Sequence, residues 1–261
     1  MTTHEPAAVI VADPAWQPRD ALPGERGAAH KYRTMSVEEL CALPLPERAE
    51  RHVLLLWRLA SMVPEALRVL DAWGFVPASE IVWRKLRPCS TCCATGRVEV
   101  WRFGDGGAPV LVPCLTSGPT ARMCPGCLGR GGTRHLGLGH YVRGGHEVAI
   151  IARPKRGRAP ERLDKSIESI FAAPMLIDVD GLLGGARGAL VHSAKPDRFF
   201  EIVEQLYPGP RVEMFSRRTR PGWRSETSDQ ADRLDEVARV MRDVWPARER
   251  AARLEAARRR A

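Results

Sequence analysis

Apolar residues along the chain follow two rhythms. Val9 to Ala12 form an unbroken apolar run that stops at Asp13-Pro14. Such a run reads as a buried strand of a parallel sheet. Proline, with no N–H for a ladder, ends it. HVLLLWRL (52–59) and SEIVWRK (79–85) read as further strands, as do GHEVAIIAR (145–153) and RVEMFSR (211–217). Between them VPEALRVLDAW (63–73) carries apolar residues at helical spacing, and Gly74 ends that helix. KPDRFFEIVEQLY (195–207) puts Phe199, Ile202, Val203 and Leu206 on one helical face. Ser36, with Glu39 three residues on, is a capping box that starts another helix. Strands alternating with helices predict an α/β fold, a Rossmann-like doubly wound and mostly parallel sheet.

Residues 88–133 break this rhythm. They hold six of the seven cysteines and nine glycines in short polar runs. The helices are fewer than a full Rossmann unit needs, so this insert replaces one connection. The division expected is a first core part (1–87), the cysteine-rich insert (88–133), a second core part (134–225) and a C-terminal segment (226–261). Residues 17–35 read as a polar active-site loop and 154–165 as a basic loop. Residues 176–189 are glycine-rich with no clear element, and the tail is an exposed Ala/Arg/Leu/Glu helix interrupted at Pro246.

The insert's pattern is chemical. Cys89-x-x-Cys92 and Cys124-x-x-Cys127 are two pairs, and two such pairs close a tetrahedral four-thiolate site. The glycines behind them (Gly96, Gly129, Gly131, Gly132) suit tight knuckle turns. A segment this poor in core residues needs a metal to fold. A structural zinc is expected, with Cys93 and Cys114 leaving the ligand choice open and Cys41 placed in the core. Free cysteines in a loop are the alternative.

Charge adds a partner. Lys and Arg number 40 against 31 Asp and Glu, a formal net charge of +9. That balance favours a polyanion, nucleic acid first. No leader peptide and no apolar run of membrane length is seen, so a cytoplasmic protein without a membrane partner is expected. Its cysteines then serve as ligands or core residues rather than disulfides.

Asp13 and Trp16 stand just past the carboxyl end of the first strand, the edge where open α/β sheets bind ligands. An acceptor beside a flat aromatic suits a flipped-out base. Asp13 and the Pro14 carbonyl could accept both protons of an exocyclic amine and free its lone pair for an electrophilic methyl. A strand-ending turn with no chemistry is the plain alternative for four letters alone.

More than four letters match. VIVADPAW resembles the DPPW motif of the MT-A70 family, the S-adenosylmethionine-dependent adenine N(6)-methyltransferases. KYRTMSVEEL, LLLWRLA, LDAWGFVPASEIVWRK and LGHYVRGGHEVAIIARPKRG resemble further family blocks in the family's order, and VHSAKPDRFFEIVEQLYPGPRVEMFSRRTRPGW (191–223) is the nearest match. The resemblance implies a permuted methyltransferase strand order with S-adenosylmethionine as cofactor. It implies that Asp13 and Pro14 accept from the target amine, that Trp16 stacks on the base or walls its pocket, and that Tyr32 lines that pocket. Asp13 also faces the cofactor, Lys195 pairs the methionine carboxylate, and Arg217 bonds the ribose.

Two departures stand out. Ala15 replaces the family's second proline, and PGWRSETSDQ (221–230) lacks the asparagine that holds cofactor adenine or ribose. The expected function is N(6) methylation of adenine in DNA, of a bacterial or phage type. DNA is preferred because no separate RNA-binding domain is seen. The same chemistry on RNA is one alternative, and a non-catalytic nucleic-acid-binding relative or subunit of a methyltransferase is the other; a homo- or heterodimer is a further expected partnership. The insert, with Arg84, Lys85, Arg87, Arg97, Arg102, Arg122, Arg130 and Arg134 in or beside it, is expected to touch the nucleic-acid backbone.

Overall fold

The computed structural model describes residues 5–17, 34–89, 91–92, 97–102, 109–113, 121–137, 141–175, 194–216 and 219–227. In chain order its elements are β1 (Ala7–Ala12), α1 (Val37–Ala42), β2 (Arg48–Arg58), α2 (Val63–Ala72), β3 (Phe75–Pro88), β4 (Arg97–Arg102), β5 (Pro109–Pro113), β6 (Arg122–Met123), β7 (Gly132–Arg134), β8 (His146–Pro154), β9 (Ile170–Pro174), α3 (Asp197–Leu206), β10 (Arg211–Ser216) and β11 (Trp223–Thr227). The chain divides into two compact units, Met1–Glu80 with Val148–Lys165 and Tyr207–Ala261, and Ile81–Glu147 with Ser166–Leu206.

The first unit is built on the strand order β11-β10-β1-β2-β8. β1 pairs in parallel with β2 and β10, and β10 with β11, while β8 runs antiparallel to β2. Every residue of β1 is buried, as its unbroken apolar run requires. α1 begins with the expected capping box: Ser36 Oγ accepts from Glu39 N at 3.2 Å and Glu39 Oε2 from Ser36 N at 2.7 Å. α2 lays Ala66, Val69 and Leu70 into the core, and Gly74 follows it at φ +83°. That left-handed backbone is where glycine is free and other residues are strained. Trp73 closes the layer, its indole N–H donating to Leu40 O at 2.9 Å.

The second unit holds the later residues of β3. β7 pairs with them antiparallel, Pro88 against Gly132, and β9 in parallel, Val82 against Ile170. β5, β4 and β6 form a separate antiparallel sheet. α3 buries the four predicted residues and Phe200 beside them.

The mostly parallel sheet with few helices is thus present. β2 and β3 run longer than their apolar cores, and β9 and β11 were not foreseen. Glu226 and Thr227 stand in β11, so a tail set at 226 starts in a strand; the rest of the expected C-terminal helix and the stretch 176–189 lie outside the described residues. No helix among the described residues is long and apolar enough to cross a membrane.

Candidate functional site

β1, β2 and β10 are parallel, so their carboxyl ends share one edge of the first unit. Strand order reverses there: the chain leaves β1 toward β2 on one side, and β10 lies on the other. A crevice at such a reversal is where open α/β sheets take ligands. Asp13 and Pro14 are the first residues beyond β1 and stand at that edge, with Ala12 level with Met214 of β10 and Leu56 of β2.

Backbone bonds pin this loop. Pro14 O accepts the Trp16 N–H at 2.8 Å, Ala15 O accepts Met35 N–H at 2.7 Å, and Gln17 N–H reaches Met35 O at 3.1 Å. Trp16 and Met35 thereby form a parallel bridge. The Pro14 carbonyl has a second lone pair beyond the one this turn occupies. Asp13 is half-buried and engaged in an interaction of its own. Trp16 is 5% exposed, its indole N–H donating to Trp57 O at 2.9 Å, and its ring belongs to the core cluster. A ring held this way is packed into the core and does not lie open as a plate.

At the same edge β10 carries an irregularity the sequence did not announce. Phe215 sits at φ +62°, in the left-handed region where a bulky residue is strained, and the ladder to β11 shifts register there. Bulges re-aim the residues that follow and gather beside active sites. Here the residues that follow are Ser216, which is buried, and Arg217. Arg217 and Tyr32 themselves lie outside the described residues.

Lys195 belongs to the second unit, two residues ahead of α3. Its side chain is 7% exposed and its Nζ lies 3.4 Å from Glu147 Oε2, while Glu147 Oε1 meets Lys85 Nζ. Burial pushes the Glu147 carboxyl up, yet the two lysines outweigh it and hold the group below the ordinary carboxylate range. Glu147 is a partner of Lys195 that the sequence does not single out. Its signal was slight, an acid in GGHE with no periodic relation to either lysine.

The four predicted cysteines are brought together. All are buried, and their sulfurs lie within 4.8 Å of one another. Cys89 and Cys124 sulfurs stand 3.8 Å apart, Cys92 and Cys127 sulfurs 3.7 Å. A disulfide needs about 2 Å. A tetrahedral ion at about 2.3 Å from each sulfur needs an edge of about 3.8 Å. The set therefore fits a single thiolate-bound metal. Burial raises the Cys89 thiol, but backbone N–H groups of Cys92 and Thr91 and the neighbouring thiols bring it down to about 7, toward the thiolate. Gly129 (φ +76°) and Gly131 (φ +71°) make the knuckle turn, and Gly131 O accepts Cys89 N–H at 2.9 Å. Cys93 and Cys114 lie outside the described residues. Cys41 packs at the margin of the core, as expected.

A larger open hollow of about 650 Å³ lies at the amino ends of β10 and β11. Its arginines are engaged, Arg211 Nη2 with Tyr207 O at 2.8 Å and Arg224 Nη1 with Glu5 O at 3.0 Å. It is at the sheet edge opposite the DPAW turn.

Residues 7–103 match the model of the MT-A70 family. The N(6)-adenosine-methyltransferase MT-A70-like protein of Drosophila melanogaster is 24% identical over 85% of this chain and 27% of its own length. The N(6)-adenosine-methyltransferase catalytic subunit METTL3 of Homo sapiens is 22% identical over 83% of the chain and 27% of its own. A putative N(6)-adenosine-methyltransferase MT-A70-like protein of Medicago truncatula is 29% identical over 83% and 25%. The chain thus spans about a quarter of the length of the curated relatives it matches.

Proposed function

Because the chain belongs to the MT-A70 family, we propose that it methylates the exocyclic N(6) amine of adenine in nucleic acid with S-adenosylmethionine. The observation that carries this reading is the placement of Asp13-Pro14 at the carboxyl edge, where strand order reverses between β1 and β10. When bound, the cofactor supplies an electrophilic methyl group. Asp13 and the second lone pair of the Pro14 carbonyl accept the two amine protons and turn the nitrogen lone pair out of the ring system. Asp13 would then take the proton that the nitrogen gives up as it gains the methyl, the electron pair of the broken S–CH3 bond staying on the cofactor's sulfur. This is catalysis by positioning and charge. Trp16 walls the pocket, and Tyr32 lines it from residues 18–33. The buried cation of Lys195 suits the cofactor's carboxylate, and Arg217, carried just past the Phe215 bulge, suits its ribose.

The four cysteines hold a structural zinc in this reading, and the insert 88–133 is a recognition element on the second unit. DNA is the first substrate. RNA is the second, favoured by relatives named for adenosine.

The test uses labelled S-adenosylmethionine with duplex DNA, single-stranded DNA and RNA, for the wild type and Asp13→Ala. Label on adenine that falls at least about a hundredfold in the variant is expected. Label on RNA alone would move the substrate. Cofactor binding with no transfer to any of the three would favour the non-catalytic relative.

A further inference from the structure

In the second unit three stretches of backbone meet at a basic hollow of about 300 Å³, lined by Arg84, Lys85, Arg134, His135, Arg143 and His146 among others. They are locked close. Lys85 N–H donates to Gly145 O at 2.9 Å, and Gly137 N–H to Gly144 O at 2.6 Å. A Cβ on Gly137 would stand 3.0 Å from Gly144 O, and one on Gly132 would stand 2.6 Å from Arg87 O. The glycines therefore permit the approach that brings Arg134 and Arg143 to one concavity.

Among the described residues no acid lines the hollow. Lys85 is already matched by Glu147. Arg84, Arg134 and Arg143 are exposed, and none forms an ion pair among the described residues. His135 Nδ1 is buried and meets no hydrogen-bond partner there. Burial, then the charges of Lys85 and Arg87, hold the His135 ring below the ordinary histidine range. Positive charge is thus crowded here, and among the described residues only Lys85 has a carboxylate beside it. Two residues before Arg143 in the chain, Tyr141 is fully exposed, a ring free to stack.

We propose that this hollow, built from Arg84, Arg134 and Arg143 with His135 and His146, grips a phosphodiester of the nucleic acid. Guanidinium forks match phosphate oxygens in pairs. β7, which carries Arg134, begins five residues after Cys127, so the cysteine cluster sets the position of one jaw. The inference rests on the nucleic-acid reading above.

The test titrates a fluorescein-labelled, adenine-containing oligonucleotide, as duplex DNA, single-stranded DNA and RNA, over a series of salt concentrations. Wild type is compared with Arg134→Ala, Arg143→Gln and the double variant. Arg51→Ala, an exposed arginine of the first unit, controls for net charge. The double variant is expected to lose at least about tenfold in affinity, and the slope of log affinity against log salt to fall by about one to two. S-adenosylmethionine binding, metal content and melting temperature should stay at wild-type values, as should the affinity of Arg51→Ala. Arg143→Gln lies in an exposed turn and keeps the test valid if Arg134→Ala folds poorly. Equal affinity and slope in wild type and double variant, or an equal loss in Arg51→Ala, would overturn the phosphate grip while leaving the methyltransferase reading intact. A wild type that binds none of the three oligonucleotides would overturn both.

Discussion

Glu147 stands between two lysines: its Oε2 lies 3.4 Å from Lys195 Nζ while its Oε1 meets Lys85 Nζ. Lys195 is nearly sealed from water, and this carboxylate faces it as a counter-charge. Glu147→Gln keeps the shape and removes the counter-charge. A loss of roughly 1–3 kcal/mol at neutral pH is expected.

The pH dependence of that loss follows from the sign of the shift. The folded-state pKa of Glu147 is lowered. Its contribution is therefore full above the unfolded carboxylate value and is lost as pH falls through the folded value. Melting temperatures of wild type and Glu147→Gln should differ at pH 7 and draw together as pH falls below the ordinary glutamate range. A gap that widens on acidification would sink this account.

Trp16 offers a separate test. It is buried and bonded to the Trp57 carbonyl. Trp16→Phe should cost about 1 kcal/mol and Trp16→Ala about 3–5 kcal/mol in denaturant unfolding. An open stacking plate would show almost no stability change on the same substitutions.

The cysteine cluster predicts its own stoichiometry. Elemental analysis should find about one zinc per chain. Cys92→Ser or Cys127→Ser should abolish it, and Cys93→Ser or Cys114→Ser should leave it. Chelation should lower the melting temperature of the wild type and leave that of Cys92→Ser unchanged.

Gly132→Ala tests the close approach at the start of β7. The added carbon would meet both Arg87 O at 2.6 Å and Leu86 Cβ at 2.8 Å. Backbone must shift, at roughly 1–3 kcal/mol. Thermal unfolding of this variant beside Gly126→Ala, whose nearest neighbour is the Thr91 hydroxyl at 3.0 Å, would separate a backbone clash from a side-chain one.

Much of this architecture is legible in single residues. β1 is visible because a parallel strand buried on both faces must be apolar throughout. The Ser36–Glu39 box, the Gly74 stop and the four cysteines are visible because local geometry or ligand spacing demands those residue types. β9 and β11 are not. IFAAP and WRSET carry no clear period, and they are strands because β3 and β10 offer them ladders. Pairing of that kind is non-local. The same holds for Glu147, whose partners lie far off in sequence, and for Phe215, whose strain belongs to the register of β10 against β11. The DPAW turn was located by proline; that its indole faces inward was not readable.

The bridge between Trp16 and Met35 has a consequence for how this protein can change. It fastens both ends of the stretch from 18 to 33 to the core, whatever that stretch contains. Lengthening a segment between fixed ends is cheap, about 0.6 kcal/mol for each doubling. The clasp thus separates what happens between residues 18 and 33 from the backbone that carries Asp13 and Pro14: changes in length there leave the Trp16–Met35 pairing in place.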